Sequence, residues 1–231
     1  MAYSDFTLQE VVQRFQLVLE EQHNLFAAVP DSIPGDFLCA ILDENVPLAL
    51  ALSTEKARSE LIIAPVLVEV RKLARRQISL FSGADFPVDA TQGLTGVCDF
   101  LIAQSREQFF IHAPVVVIVE AKNENFKAGM GQCSATMMAA QCFNAQAGTD
   151  LTILYGAVTT GNVWKFLKLE GNTVLSICQS ITSSVLAKSS GYYSRWWGIT
   201  QVSWHRLFDI AAPPSQITFN SAAGLTSFLD A

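Results

Sequence analysis

The sequence predicts an α/β fold, and three observations carry that expectation. Residues 115–119 read Val-Val-Val-Ile-Val, an uninterrupted apolar run of the length and β-branched content of a buried strand. A helix-period pattern opens the chain at Leu8, and three strand-like runs separated by turn sequences follow Gly148.

Taken in order, Thr7-Leu-Gln-Glu10 fits a capping box, and Leu8, Val11, Val12, Phe15, Val18 and Leu19 recur at helical spacing, so a helix is expected over residues 8–22. Pro30 and Pro34-Gly35 break the chain, and the apolar stretch 37–42 starts a second, short helix. Leu61, Ile62, Val66, Val68, Val70 and Leu73 predict a helix over about 53–76, kinked or restarted at Pro65, which cannot donate to the carbonyl of Leu61. Residues 78–81 form a strand. Gly93, Thr95 and Gly96 then lead into a strand at 97–102 that carries Asp99, and Ser105-Arg106-Glu107 makes a turn. Residues 109–112 and then 115–121 return as the central strand, followed by a buried helix from Phe126 to Asn144. Strands at 151–158, 163–169 and 173–177 are joined by hairpin turns at Gly161-Asn162 and Glu170-Gly171-Asn172. One domain over 1–231 is expected, with a helical N-terminal extension (1–50), a core (54–178) and a C-terminal extension (180–231) of little periodicity, split by Pro213-Pro214.

Composition narrows the function classes. Of 231 residues, 50% are hydrophobic and 16% charged, which excludes a disordered chain. A net charge of −6 argues against indiscriminate nucleic-acid binding and shifts attention to local charge. Cys39, Cys98, Cys133, Cys142 and Cys178 are widely spaced, with no CxxC, and His23, His112 and His205 lie far apart; buried thiols are expected and a structural zinc site is not. The first residues lack a basic segment followed by an apolar core, and no apolar run approaches the about eighteen residues of a membrane span, so a cytoplasmic protein without a membrane partner is expected.

The chemistry concentrates at the end of the central strand. Residues two apart on a strand share a side, so Glu120 and Lys122 present a carboxylate and an ammonium together where an apolar strand ends. Asp99 lies about twenty residues earlier. Two acidic oxygens suit a hard divalent cation, and a lysine can orient or deprotonate water. Singly, each residue has an ordinary reading: Glu120 and Lys122 as solvated charges at a strand end, Asp99 as a turn residue, Glu60 as an exposed helix charge. Their conjunction, in order and on these elements, is what points to a site.

An acid on a first helix (Glu60), Asp99 on the second strand and Glu120-Ala121-Lys122 on the third resembles the PD-(D/E)XK nuclease superfamily, the restriction-endonuclease-like fold. The resemblance covers roughly residues 54–178 and implies an αβββαβ core with a mixed central sheet, to which the other strands add antiparallel pairs. Cys98 stands where that family often has a proline before the aspartate, and Glu55 and Glu69 share the helix of Glu60. What the resemblance implies is Mg²⁺ or Mn²⁺ held by Asp99, Glu120 and the backbone carbonyl of Ala121, with Glu60 assisting and Lys122 acting on water. Gln132, at the start of the next helix, stands where such proteins often keep a polar residue beside the site. Gln141, nine residues on, falls on the opposite side of that helix.

DNA is the expected partner. Residues 55–76 hold six basic groups (Lys56, Arg58, Arg71, Lys72, Arg75, Arg76) against Glu55, Glu60 and Glu69, a positive segment fit for a phosphate backbone or for a salt-bridged solvent face. Tyr192, Tyr193, Arg195, Trp196, Trp197 and Trp204 read as core, subunit interface or base-stacking groups, and cleavage of two strands calls for a homodimer. The function expected is metal-dependent hydrolysis of DNA phosphodiesters; the alternative is a non-catalytic member of the same fold that binds nucleic acid or protein.

Overall fold

The computed structural model describes residues 2–21, 34–149 and 151–177. Its elements are α1 (Leu8–Phe15), β1 (Val18–Glu21), α2 (Asp36–Leu52), α3 (Glu55–Arg58), a π-helical turn (Ser59–Ile63), α4 (Ala64–Leu73), β2 (Ser79–Asp85), β3 (Val97–Ala103), β4 (Val115–Ala121), α5 (Phe126–Gln146), β5 (Ile153–Thr159), β6 (Trp164–Glu170) and β7 (Thr173–Ile177). The strands form one mixed sheet in the order β1-β7-β6-β5-β4-β3-β2. β1–β7 and β4–β5 are parallel pairs and the other four are antiparallel. α2, α3, the π turn and α4 cover one face of the sheet, and α1 with α5 covers the other.

Every residue of β4 is buried, as its unbroken apolar run requires between two helical layers. Its pairing with β3 slips between Ile102↔Val117 and Ala103↔Val115, which makes Val116 an extra residue. Val116 and Val117 therefore pack together in the α2–α4 layer with Val119 and Ala121, while Ile118 lies against α5. The same alternation turns Glu120 toward α5. That helix sits close on the sheet and on the N-terminal segment. A Cβ on Gly156 would come 2.8 Å from Cys133 Sγ, and one on Gly131 would come 2.7 Å from the backbone nitrogen of Leu8.

Several elements differ from the sequence reading. The helix expected over 8–22 stops at Phe15, because Gln16 adopts a left-handed conformation (φ 52°) that turns the chain. Val18 and Leu19, which fitted the helical period, instead join the sheet edge beside β7, so the N-terminal extension is not purely helical. α2 runs to Leu52, through Pro47, far beyond a short helix. At Pro65 the helix restarts without breaking: the π turn ends at Ile63, α4 begins at Ala64 with Pro65 in its first turn, the backbone stays helical throughout, and the Leu61 carbonyl left without its helical donor accepts Asn45 Nδ2 at 3.0 Å. Residues 109–112 are a loop rather than strand, folded over Glu107, whose carboxylate accepts the N–H groups of Phe109 and Phe110. The expectations for 180–231, the late aromatics and the dimer interface among them, lie outside the described residues, as do those for Pro30 and His23. Among the described residues no helix is long and apolar enough to cross a membrane.

Buried Asn144 on α5 clamps the start of β4: its Oδ1 accepts the N–H of Val115 and its Nδ2 donates to the carbonyl of the same residue, both at 2.7 Å. Asn144→Ala leaves both backbone groups buried without partners and is expected to cost about 2–3 kcal/mol, read as a lower denaturant midpoint at unchanged m-value.

Candidate active site

The site forms where the β3–β4 ladder stops. The last ladder pair is Phe100↔Val119, and beyond it the Asp99 carboxylate, rather than strand backbone, accepts the Ala121 N–H at 2.8 Å. Lys122 follows β4 directly and donates its N–H to the Thr159 carbonyl at 2.8 Å, which fixes its backbone to β5. Its stem then runs between β5 and α5. A Cβ on Gly129 would lie 2.9 Å from Lys122 Cγ and 2.5 Å from Val158 Cγ1, so only glycine leaves that passage open. At its end Nζ donates to the Ala121 carbonyl at 2.7 Å. Three carboxylates surround it: Asp99 Oδ2 at 3.6 Å, Glu55 Oε1 at 3.9 Å and Glu120 Oε2 at 4.0 Å.

Glu120 is wholly buried. Its Oε2 accepts Gln132 Nε2 from α5 at 2.7 Å, whereas Oε1 meets no donor. Burial pushes the Glu120 carboxyl well above the usual carboxylate range, the charge and hydrogen bond of Asp99 and the charge of Glu55 push the same way, and only Lys122 opposes them.

The structure thus brings Asp99, Glu120, Lys122 and Gln132 together. It does not bring in Glu60, whose carboxylate pairs with Lys56 at 2.8 Å on an exposed face. Glu55 is the helix acid that reaches Lys122. Five residues along a helix turn a side chain by about 140°, so Glu55 and Glu60 cannot both face the strand end. Glu69 is also elsewhere, bound to Lys72 and to the Gly35 N–H. Gln141 donates to the Gly171 carbonyl at the far end of α5.

Glu55 was in view in the sequence as an acid on the same helix as Glu60, and two further contributors, Gly129 and Asn123, were missed. Thr54 caps α3, its hydroxyl accepting the Ala57 N–H, and that cap was the available signal that Glu55 opens the helix. Gly129 was visible as a glycine in the first turn of a helix, though its neighbours were not. Asn123 Nδ2 donates to the Ser53 carbonyl at 3.2 Å and so ties the β4–α5 connection to the residues just before Glu55; nothing local predicts that contact.

The oxygens present suit a hard cation. Three carboxylates around one ammonium leave an excess of negative charge, and the unpartnered Glu120 Oε1 is an acceptor awaiting a proton or a metal. Among the described residues no three His, Cys, Asp or Glu side chains converge as a metal cage. Asp99, Glu120 and the Ala121 carbonyl are the oxygens that would take part in holding an ion that keeps much of its own water, as Mg²⁺ does.

Part of the positive segment is engaged within the chain, while Lys56 and Lys72 stay exposed in surface pairs. Arg58 Nη1 donates to the Thr160 carbonyl and to Asn162 Oδ1, Arg71 Nε to the Ile78 carbonyl, and Lys56 and Lys72 pair with Glu60 and Glu69.

Because the native state holds the Glu120 proton more tightly than the unfolded chain, stability is lost as pH rises from the ordinary value of 4.5 through the raised native one. Glu120→Gln removes that loss: in metal-free buffer its melting temperature should exceed that of the wild type at pH 8 and converge with it near pH 4. Gly129→Ala should destabilise by about 1–3 kcal/mol through overpacking, outweighing the about 1 kcal/mol of helix propensity it gains, and should displace Lys122, seen as a changed ¹⁵N–¹H signal at Lys122. In comparisons with family models, curated proteins and solved structures, no match to this chain is found.

Proposed function

We propose that this protein is a metal-dependent phosphodiesterase that hydrolyses DNA, built on a restriction-endonuclease-like core. The observation that carries this is the gathering of Asp99, Glu120 and Lys122 at the end of one buried strand, with Gln132 holding Glu120 in place. The succession α4-β2-β3-β4-α5-β5, with β4 and β5 parallel, supports the fold part of the reading.

Asp99, Glu120 and the Ala121 carbonyl would hold Mg²⁺ or Mn²⁺, which when bound lowers the pKa of water and offsets charge on a phosphodiester oxygen. The chain's own residues do the rest. Gln132 fixes the Glu120 carboxylate by its hydrogen bond to Oε2. Lys122 Nζ holds a water beside the phosphate and balances charge that develops there, with Glu55 steadying the ammonium from the helix side. A second reading is a non-catalytic member of the fold that binds protein or nucleic acid; Arg58 and Arg71 already donate to backbone carbonyls of this chain, which favours its protein-binding form.

The test is nicking of supercoiled and single-stranded DNA with Mg²⁺ or Mn²⁺ by wild type, Asp99→Ala and Lys122→Ala. Wild type should cut, and each variant should fall by about 100-fold or more. Equal rates in all three would remove the catalytic reading, and DNA retention without cutting would sustain the binding one.

A further inference from the structure

We infer that the Lys122 ammonium is the resident counter-ion of this carboxylate cluster and must leave the Ala121 carbonyl before a divalent cation can settle, so the residue needed for turnover opposes metal binding. The inference deepens the metal-site reading and rests on it.

Geometry is its basis. Nζ lies within 4.0 Å of carboxylate oxygens from Asp99, Glu55 and Glu120, the arrangement a bound cation would itself seek. Its shortest contact, 2.7 Å, is to the Ala121 carbonyl, one of the three oxygens assigned to the metal. A carbonyl oxygen has two lone pairs, but an ammonium and a divalent ion sharing it would stand a few ångströms apart, and like charges at that distance repel. The Lys122 side chain is only 14% exposed and its stem is confined between Val158 and Gly129, which limits how it can retreat. Glu55, half exposed at the cluster's outer side, offers the displaced ammonium a partner that the metal does not need.

Lysine at this position thus sets a threshold for metal loading. Without the ammonium the same oxygens face one another unbalanced, and a divalent cation competes for them with a proton alone rather than with a tethered positive charge.

The test is Mn²⁺ binding in the absence of DNA, followed by calorimetry and by the electron paramagnetic resonance signal of free Mn²⁺, on the full chain. Wild type, Lys122→Met, Lys122→Gln and Asp99→Asn are compared at one pH, with circular dichroism to check folding. Lys122→Met should bind Mn²⁺ about tenfold or more tightly than wild type, and Asp99→Asn should bind it weakly. Lys122→Gln keeps a donor for the Ala121 carbonyl without the charge, and should also tighten binding, which keeps the question answerable if Lys122→Met does not fold. Equal or weaker binding by the folded Lys122 variants than by a wild type that does bind overturns the counter-ion role and leaves the metal site standing. Binding by no protein in the set overturns both, and binding by the Lys122 variants alone is the strongest outcome in favour.

Discussion

Holding a carboxylate with no solvent exposure at the end of β4 is the constraint on which the rest of the site depends. A charge buried in that way is costly unless it is paired, hydrogen-bonded or neutralised. The surrounding residues answer each requirement. Gln132 supplies a donor to one oxygen of Glu120, Lys122 supplies positive charge at 4.0 Å, and the other oxygen is left for a proton or a cation. Gly129 exists to let the lysine stem through, and Asp99 ends the β3–β4 ladder with a side-chain acceptor, adding a second carboxylate beside the first.

Much of this was legible in the sequence because it is local. An apolar run ending in Glu-x-Lys states strand, burial and side in one reading, and the strand carrying Asp99 and the helix carrying Gln132 follow from the turn and capping residues around them. What failed was non-local. Val18 and Leu19 keep helical spacing, yet one left-handed residue at Gln16 and a free edge at β7 decide their state, and neither is encoded nearby. Glu55, not Glu60, reaches Lys122, and composition cannot say which face of a helix meets a strand end.

Charge shows the same division. Counting residues 55–76 gives a basic segment, but a count ignores partners. Arg58 is a strut between α3 and the β5–β6 turn, and Lys72 is bound to Glu69, itself bound to Gly35. Arg58 and Arg71 fasten their helices to the β5–β6 turn and to the residue before β2, whereas Lys56 and Lys72 stay exposed in pairs with Glu60 and Glu69.

The π turn at Ser59–Ile63 gains meaning against that background. A π turn carries about one residue more than the α-helical turn it replaces, and so shifts by about 100° the bearing of everything before it relative to everything after. Before it stands Glu55, whose direction must suit a polar cluster; after it stand Val66, Leu67 and Val70, whose direction must suit an apolar core. The helix thereby works in two phases, one for each duty. The inserted residue supplies the offset that lets one continuous helix aim Glu55 at the polar cluster and Val66, Leu67 and Val70 at the apolar core.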